Sequence, residues 1–296
     1  MRDDRRLELL ASACLALAAA CGGHHESAVG GGAGGMAPAD AADNPDLSDA
    51  APRPYGCSGV DPSGRPAICD VAHVAFRVSD LAAARSFYGA YLGFEEPFGV
   101  SDKVAVFKIN DSQYIELYEE APPPLPDVNF QLKNIAFYTS DAAGLLAFYG
   151  AKGISVAAAV SKNLLGNTSF TVVDQDGHVI EWLQYEPDSQ TGLTRGQSMP
   201  ATRLSAAIHH TGVTIADAAQ ADAFYDSLGL VPSSTADKKA PRAPEGMDRI
   251  EYGTYHSTPT QDFAVVRDHL CLRVPDIGRA MSVLSSRNPA IAIESQ

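Results

Sequence analysis

An eight-residue pattern recurs four times in this chain and constrains its fold more than any other feature. The copies are His73-Val-Ala-Phe-Arg-Val-Ser-Asp80, Asn134-Ile-Ala-Phe-Tyr-Thr-Ser-Asp141, His210-Thr-Gly-Val-Thr-Ile-Ala-Asp217 and His269-Leu-Cys-Leu-Arg-Val-Pro-Asp276. They start 61, 76 and 59 residues apart, so the chain is a tandem array of small modules rather than one long-period fold. In the first copy Val74, Phe76 and Val78 alternate with His73, Ala75 and Arg77, the period of a half-buried strand. The closing Asp is a helix-capping residue type. A Phe-Tyr pair follows it seven and eight places later in three copies (Phe87-Tyr88, Phe148-Tyr149, Phe224-Tyr225), and Gly93, Gly153 and Gly229 stop the helices so predicted.

Further strands are expected at 104–109, 113–119, 168–173, 178–185 and 249–255, with a short piece near 94–98 and a turn at Asp174-Gln175-Asp176-Gly177. Each module is thus a strand, a helix and up to three more strands, an α+β arrangement. Glu116 lies 18 residues before Asn134, and Glu251 lies 18 before His269. That equality gives the two glutamates one structural position, and Glu181 is their counterpart in the second module.

The N-terminus has a different character. Arg2, Arg5 and Arg6 precede a mostly apolar run at 9–20, too short for a comfortable membrane span, which ends at Ala20-Cys21-Gly22. The segment resembles a bacterial lipoprotein signal, which implies lipidation of Cys21; a cleaved secretory peptide and a plain apolar N-terminus are the alternatives. Residues 22–69 are rich in Gly, Ala, Pro and Asp and are expected to be a disordered tether. Cys57 and Cys69 can pair in an oxidising compartment or stay as thiols. The expected organisation is a signal peptide at 1–21, the tether at 22–69, a two-module domain at 70–186, a linker at 187–205 and a second domain at 206–296. The protein is expected to be exported to the bacterial envelope or secreted.

Charge narrows the partners. With 22 Lys and Arg against 36 Asp and Glu, a net charge of -14, the chain lacks the clustered cations that phosphate neutralisation requires, and no nucleic-acid role is expected. An acidic cleft favours cationic ligands or metals.

The four repeats, the Phe-Tyr helices, the Leu-Gly-Phe and Leu-Gly-Leu exits and Asp176-Gly-His-Val-Ile-Glu181 together resemble the vicinal oxygen chelate superfamily, the glyoxalase, bleomycin-resistance and extradiol-dioxygenase group, over residues 71–296. The resemblance implies βαβββ modules that pair into curved mixed sheets around a cleft, with ligands drawn from the first and last strands. By it, His73, Glu116, Asn134 and Glu181 would meet as a metal site for a divalent ion (Fe, Mn, Ni or Zn), with Glu116 or Glu181 shuttling a proton in catalysis. Asn134 stands where metal-binding members place His or Gln. Arg77 is available as a partner for Glu116.

A second candidate site is His210, His269 and Glu251. His210 and His269 open consecutive modules as the two histidines do in extradiol dioxygenases. The Glu that completes the triad there should lie 41 to 47 residues after His269, whereas Gln296 is only 27 beyond it, so the site lacks its third ligand unless Glu251 substitutes. His209 is an alternative donor, although repeat register points His210 inward. By the internal spacing the fourth module is incomplete, and its open edge implies a partner chain, such as a second copy in a homodimer, or a truncated gene model. Three functions follow: a metal-dependent small-molecule enzyme, lyase-, isomerase- or dioxygenase-like; a metal-free small-molecule binding or sequestering protein; or a degenerate structural module.

Overall fold

The computed structural model describes residues 13–17, 57–120, 132–235, 238–254 and 268–288; Cys21, residues 22–56 of the expected tether, and 289–296 lie outside them. In chain order the elements are β1 (Ala13–Leu17), β2 (Ile68–Val78), α1 (Leu81–Arg85), β3 (Val104–Asn110), β4 (Gln113–Glu119), β5 (Leu132–Thr139), α2 (Ala142–Ala151), β6 (Ser161–Lys162), β7 (Thr168–Val173), β8 (Val179–Gln184), α3 (Gln190–Leu193), β9 (Ala207–Ile215), α4 (Ala218–Ser227), β10 (Ser234–Thr235), β11 (Lys238–Lys239), β12 (Arg249–Thr254), β13 (His269–Val274) and α5 (Ile277–Arg287).

Two mixed sheets result. One has seven strands in the order β3-β4-β2-β5-β8-β7-β6, and the other has six in the order β1-β13-β9-β12-β11-β10. Each joins the first strands of two modules antiparallel, β2 with β5 and β9 with β13, and flanks them with a parallel last strand, β4 and β8 in one case and β12 in the other. This is the α+β architecture of paired modules, and the described part of the fourth module comprises β13 and α5.

The repeated Asp does the same work in every module. Asp80, Asp141, Asp217 and Asp276 are N-caps whose carboxylates accept from backbone N–H groups in the first turn, each worth about 1 kcal/mol to its helix. In the first module the helix expected to reach residue 92 is α-helical only to Arg85 and continues as a π-helix over Ser86–Tyr91.

The sheets share one hydrophobic core, from Ile68 through Trp182 and Tyr225 to Leu284. The Tyr of the Phe-Tyr pair also crosses between them. Tyr149 Oη donates to Leu228 O at 2.8 Å, and Tyr225 Oη donates to Asp174 Oδ2 at 3.1 Å. Gln113 adds a buried polar tie, donating to Asp248 Oδ2 at 2.6 Å while its Oε1 accepts from Ile208 N at 2.9 Å.

Three expectations are corrected. The tether does not extend to residue 69: Arg65 and the segment from Ala67 onward are buried, Cys57 and Cys69 are disulfide-bonded, and β2 begins at Ile68. The stretch at 94–98 forms a single bridge, Glu95 to Lys108, because no neighbouring strand continues the ladder. The edge of β13 is not open: β1, inside the apolar N-terminal run, pairs with it antiparallel from Ala13↔Val274 to Leu17↔Leu270. Among the described residues no helix is long and apolar enough to cross a membrane.

Candidate metal centre

The two sheets carry one strand register. In the first, Ala75 of β2 lies opposite both Glu116 of β4 and Asn134 of β5. In the second, Gly212 of β9 lies opposite both Glu251 of β12 and His269 of β13. A histidine precedes each small residue by two places, His73 and His210, and so shares its face. Asn134 and His269 therefore hold equivalent positions. Among the described residues Glu181 of β8 has no counterpart in the second sheet, where β1 lies beside β13.

The first cluster gathers all four residues expected there but does not converge on a point. His73 Nδ1 is 3.5 Å from Glu116 Oε1, while Nε2, on the far side of the ring, is 3.3 Å from Glu181 Oε2. Asn134 Nδ2 lies 3.0 Å from His73 Nε2 and donates to Glu181 Oε2 at 2.8 Å. Tyr118 Oη donates to Glu116 Oε2 at 2.8 Å and Asn163 Nδ2 to Glu181 Oε1 at 3.3 Å. Each carboxylate is thus committed to protein donors, and the ring keeps them apart.

The electrostatics suit a closed ion chain. Burial works against a charged His73, but the Glu116 charge and the hydrogen bond and charge of Glu181 outweigh it and raise the imidazole to about 9. Burial raises Glu116. It also acts to raise Glu181, where the hydrogen bond and charge of His73 prevail and the net shift is downward. With its two nitrogens facing two different carboxylates, His73 does not bring three donor atoms to one point in this arrangement. Arg77, the expected partner of Glu116, pairs instead with Glu120 at 3.0 Å and donates to Leu132 O at 2.8 Å.

The second cluster does converge. His210, Glu251 and His269 each offer a donor atom, and the three atoms lie within 4.8 Å of one another. His210 Nε2 is 3.0 Å from His269 Nε2 and 3.5 Å from Glu251 Oε2. His210 and Glu251 are buried, and His269 is half-buried. Two imidazoles and one carboxylate with further positions toward solvent are the donor set of a catalytic divalent ion. The residues present fit the group.

Gly212 makes room for this set. A Cβ there would fall inside contact distance of the His269 ring, 2.6 Å from Nε2. The space that a small residue leaves beside His210 is thus filled by a ligand side chain. Sequence reasoning passed over Arg249, although strand alternation puts it on the face of Glu251. It also placed His209 outward, whereas a bulge brings that ring onto His210 at 2.8 Å between Nδ1 atoms. His209, His210 and Cys271 form another convergent group, but Cys271 is disulfide-bonded and offers no thiolate.

Paired βαβββ modules with donors on the first and last strands define a class of metal-site scaffolds. Residues 70–182 match the model of the Glyoxalase/Bleomycin resistance protein/Dioxygenase superfamily. The fold is similar to the Mn(II)-bound glyoxalase from Novosphingobium aromaticivorans, at 19% identity and a TM-score of 0.53, covering 75% of this chain and 72% of that one. It is also similar to a xylose isomerase-like TIM barrel/4-hydroxyphenylpyruvate dioxygenase fusion protein, at 19% identity and a TM-score of 0.55, covering 77% of this chain and 40% of that one. No curated protein matches the sequence.

Proposed function

We propose that the chain is a divalent-metal-dependent enzyme acting on a small molecule with neighbouring oxygen atoms, and that His210, Glu251 and His269 hold the ion. The observation that carries this reading is the convergence of those three donors, set against the closed ion chain at His73. A bound divalent ion supplies Lewis-acid polarisation of substrate oxygens. The chain's own residues do the rest. Glu251 presents Oε2 toward His210, and Arg249 Nε lies 3.3 Å from its Oε1 as an ion pair. Gly212 seats His269, and the half-buried ring keeps one side of the site open to solvent.

In this reading the cluster of His73, Glu116, Asn134 and Glu181 is a buried structural element, and the proton-shuttling role expected of Glu116 or Glu181 passes to the second sheet. Metal analysis of purified wild type, His269→Ala and His73→Ala tests the assignment. One ion per chain is expected in wild type and His73→Ala, and none in His269→Ala; the reverse pattern refutes it. A screen for catechol cleavage and 2-oxoaldehyde isomerisation then separates dioxygenase from isomerase chemistry. The apolar N-terminal run and Cys21 support export; processing at Cys21 would remove β1 and bare the β13 edge, and mass spectrometry of the native N-terminus checks this.

A further inference from the structure

Beside the proposed ligands the second sheet carries a histidine where the first has Ala72, at a bulge that the two sheets share: in the first, Val71↔Phe137 steps to His73↔Ala136. The register of β13 against β9 jumps from Cys271↔His210 to Leu272↔Ile208, leaving His209 as an extra residue in β9. Such a bulge turns two successive side chains to one side of a sheet. The His209 and His210 rings accordingly meet at 5.1 Å between centroids, with Nδ1 facing Nδ1 at 2.8 Å. Arg249, opposite His210 in the register of β12, places a guanidinium nitrogen 3.3 Å from His209 Nε2. The equivalent position in the first sheet, two residues before Glu116, is Tyr114.

Resting on the proposed metal centre, we propose that Arg249 and His209 act as a brake on metal uptake by holding His210 in the wrong tautomer. The argument follows from which atoms can donate. Arginine has only donors, so His209 Nε2 is the acceptor of the Arg249 contact. A neutral imidazole carries one proton, which on His209 then sits on Nδ1 and points at His210 Nδ1. His210 accepts there, so its own proton is on Nε2, directed at His269 Nε2 at 3.0 Å. The chain of donors runs one way, from Arg249 through His209 and His210 to His269. It ends with a proton on the nitrogen that the metal needs.

For His210 Nε2 to be free for a metal, the proton of His210 would have to sit on Nδ1, where it would meet the proton already on His209. His209 must then move its proton to Nε2, against the guanidinium, and Arg249 must let go. Glu251 Oε1, already 3.3 Å from Arg249 Nε, is at hand to take the released charge. The metal-free and metal-bound states thus differ in two tautomers and one arginine contact.

The test is Mn(II) affinity by competition titration with a chelator, on the full chain. A histidine that merely orients a metal ligand costs about 10- to 100-fold in affinity when it is removed. The brake predicts the opposite sign: His209→Phe and Arg249→Met should each bind Mn(II) tighter, by about tenfold, the equivalent of one charge-assisted hydrogen bond. His209→Phe keeps the arginine charge, so a gain there cannot come from lost repulsion. His209→Gln, with a neutral side chain of similar reach, serves if the Phe variant fails to fold. Unchanged or weaker affinity in both His209 variants overturns the brake. His269→Ala in the same assay reports separately on the metal centre, because it must abolish binding if that reading holds. Nitrogen-15 spectra of the metal-free protein test the relay without any metal: His209 protonated at Nδ1 and His210 at Nε2 is expected, and the reverse assignment overturns it.

Discussion

Gly212→Ala should separate metal binding from folding. The added Cβ would overlap the His269 ring at three atoms, Cε1, Nδ1 and Nε2, where carbon needs about 3.5 Å. The ring must therefore retreat by about 1.5 Å, well past the roughly 0.2 Å that metal–ligand distances tolerate. Because His269 is half-buried, it can swing toward solvent, and the cost stays below the roughly 1–3 kcal/mol of an overpacked core. The lower backbone entropy of alanine in the unfolded chain returns about 0.4–1 kcal/mol. Net stability should change little. Mn(II) affinity should fall by about 100-fold or more, since displacing a ligand exceeds the loss of an outer-shell partner. Chelator competition measures the affinity and thermal melting the stability. Gly253→Ala is the control, because a Cβ at Gly253 meets nothing within 4 Å. Metal binding by Gly212→Ala at wild-type strength would refute the placement of His269.

Other consequences concern the scaffold. Tyr225→Phe leaves buried Asp174 without one charged hydrogen bond and should cost about 1.5–3 kcal/mol in urea unfolding, against about 0.5–1.5 for Tyr149→Phe, whose acceptor is the neutral Leu228 carbonyl; equal costs would contradict this reading. Asp174 and His178 form a buried pair at 2.8 Å. Burial disfavours both charges, but the mutual hydrogen bond and attraction prevail, lowering Asp174 and raising His178. The Asp174 part is lost as pH falls through its depressed value, and the His178 part as pH rises through its elevated one. The stability gap between wild type and His178→Gln should therefore be widest from about pH 4 to 6.5, between the two unfolded values; a gap that grows steadily above pH 8 would be inconsistent. Removing the Cys57–Cys69 disulfide, whose cysteines are 12 residues apart, by the double substitution Cys57→Ala and Cys69→Ala should cost about 3 kcal/mol by loop entropy, and an unchanged melting temperature would contradict that.

The features legible in the sequence are those that repeat. Four Asp N-caps, the Phe-Tyr helices and the common 18-residue offset of Glu116 and Glu251 each report a local rule applied in every module, so they carried the α+β class and the equivalence of the two sheets. The donors His210, Glu251 and His269 were named from that register. Side-chain direction within a position was less accessible. Nothing in the pattern says that His73 turns its two nitrogens to two different carboxylates, because that orientation depends on Asn134, Tyr118 and Asn163 arriving from separate strands. The bulge at His209 breaks the strict alternation on which inward and outward assignments rest. Arg77 found Glu120 rather than Glu116 through a long-range choice between two nearby carboxylates. The pairing of β1 with β13 joins segments some 250 residues apart, beyond the reach of any local periodicity.

The central claim, that the second sheet holds the metal, is tested most directly by anomalous diffraction from crystals of the full chain soaked in Mn(II). A single manganese peak among His210, Glu251 and His269, with none beside His73, is the predicted result. A peak bounded by His73, Glu116 and Glu181, with the second cluster empty, would contradict it.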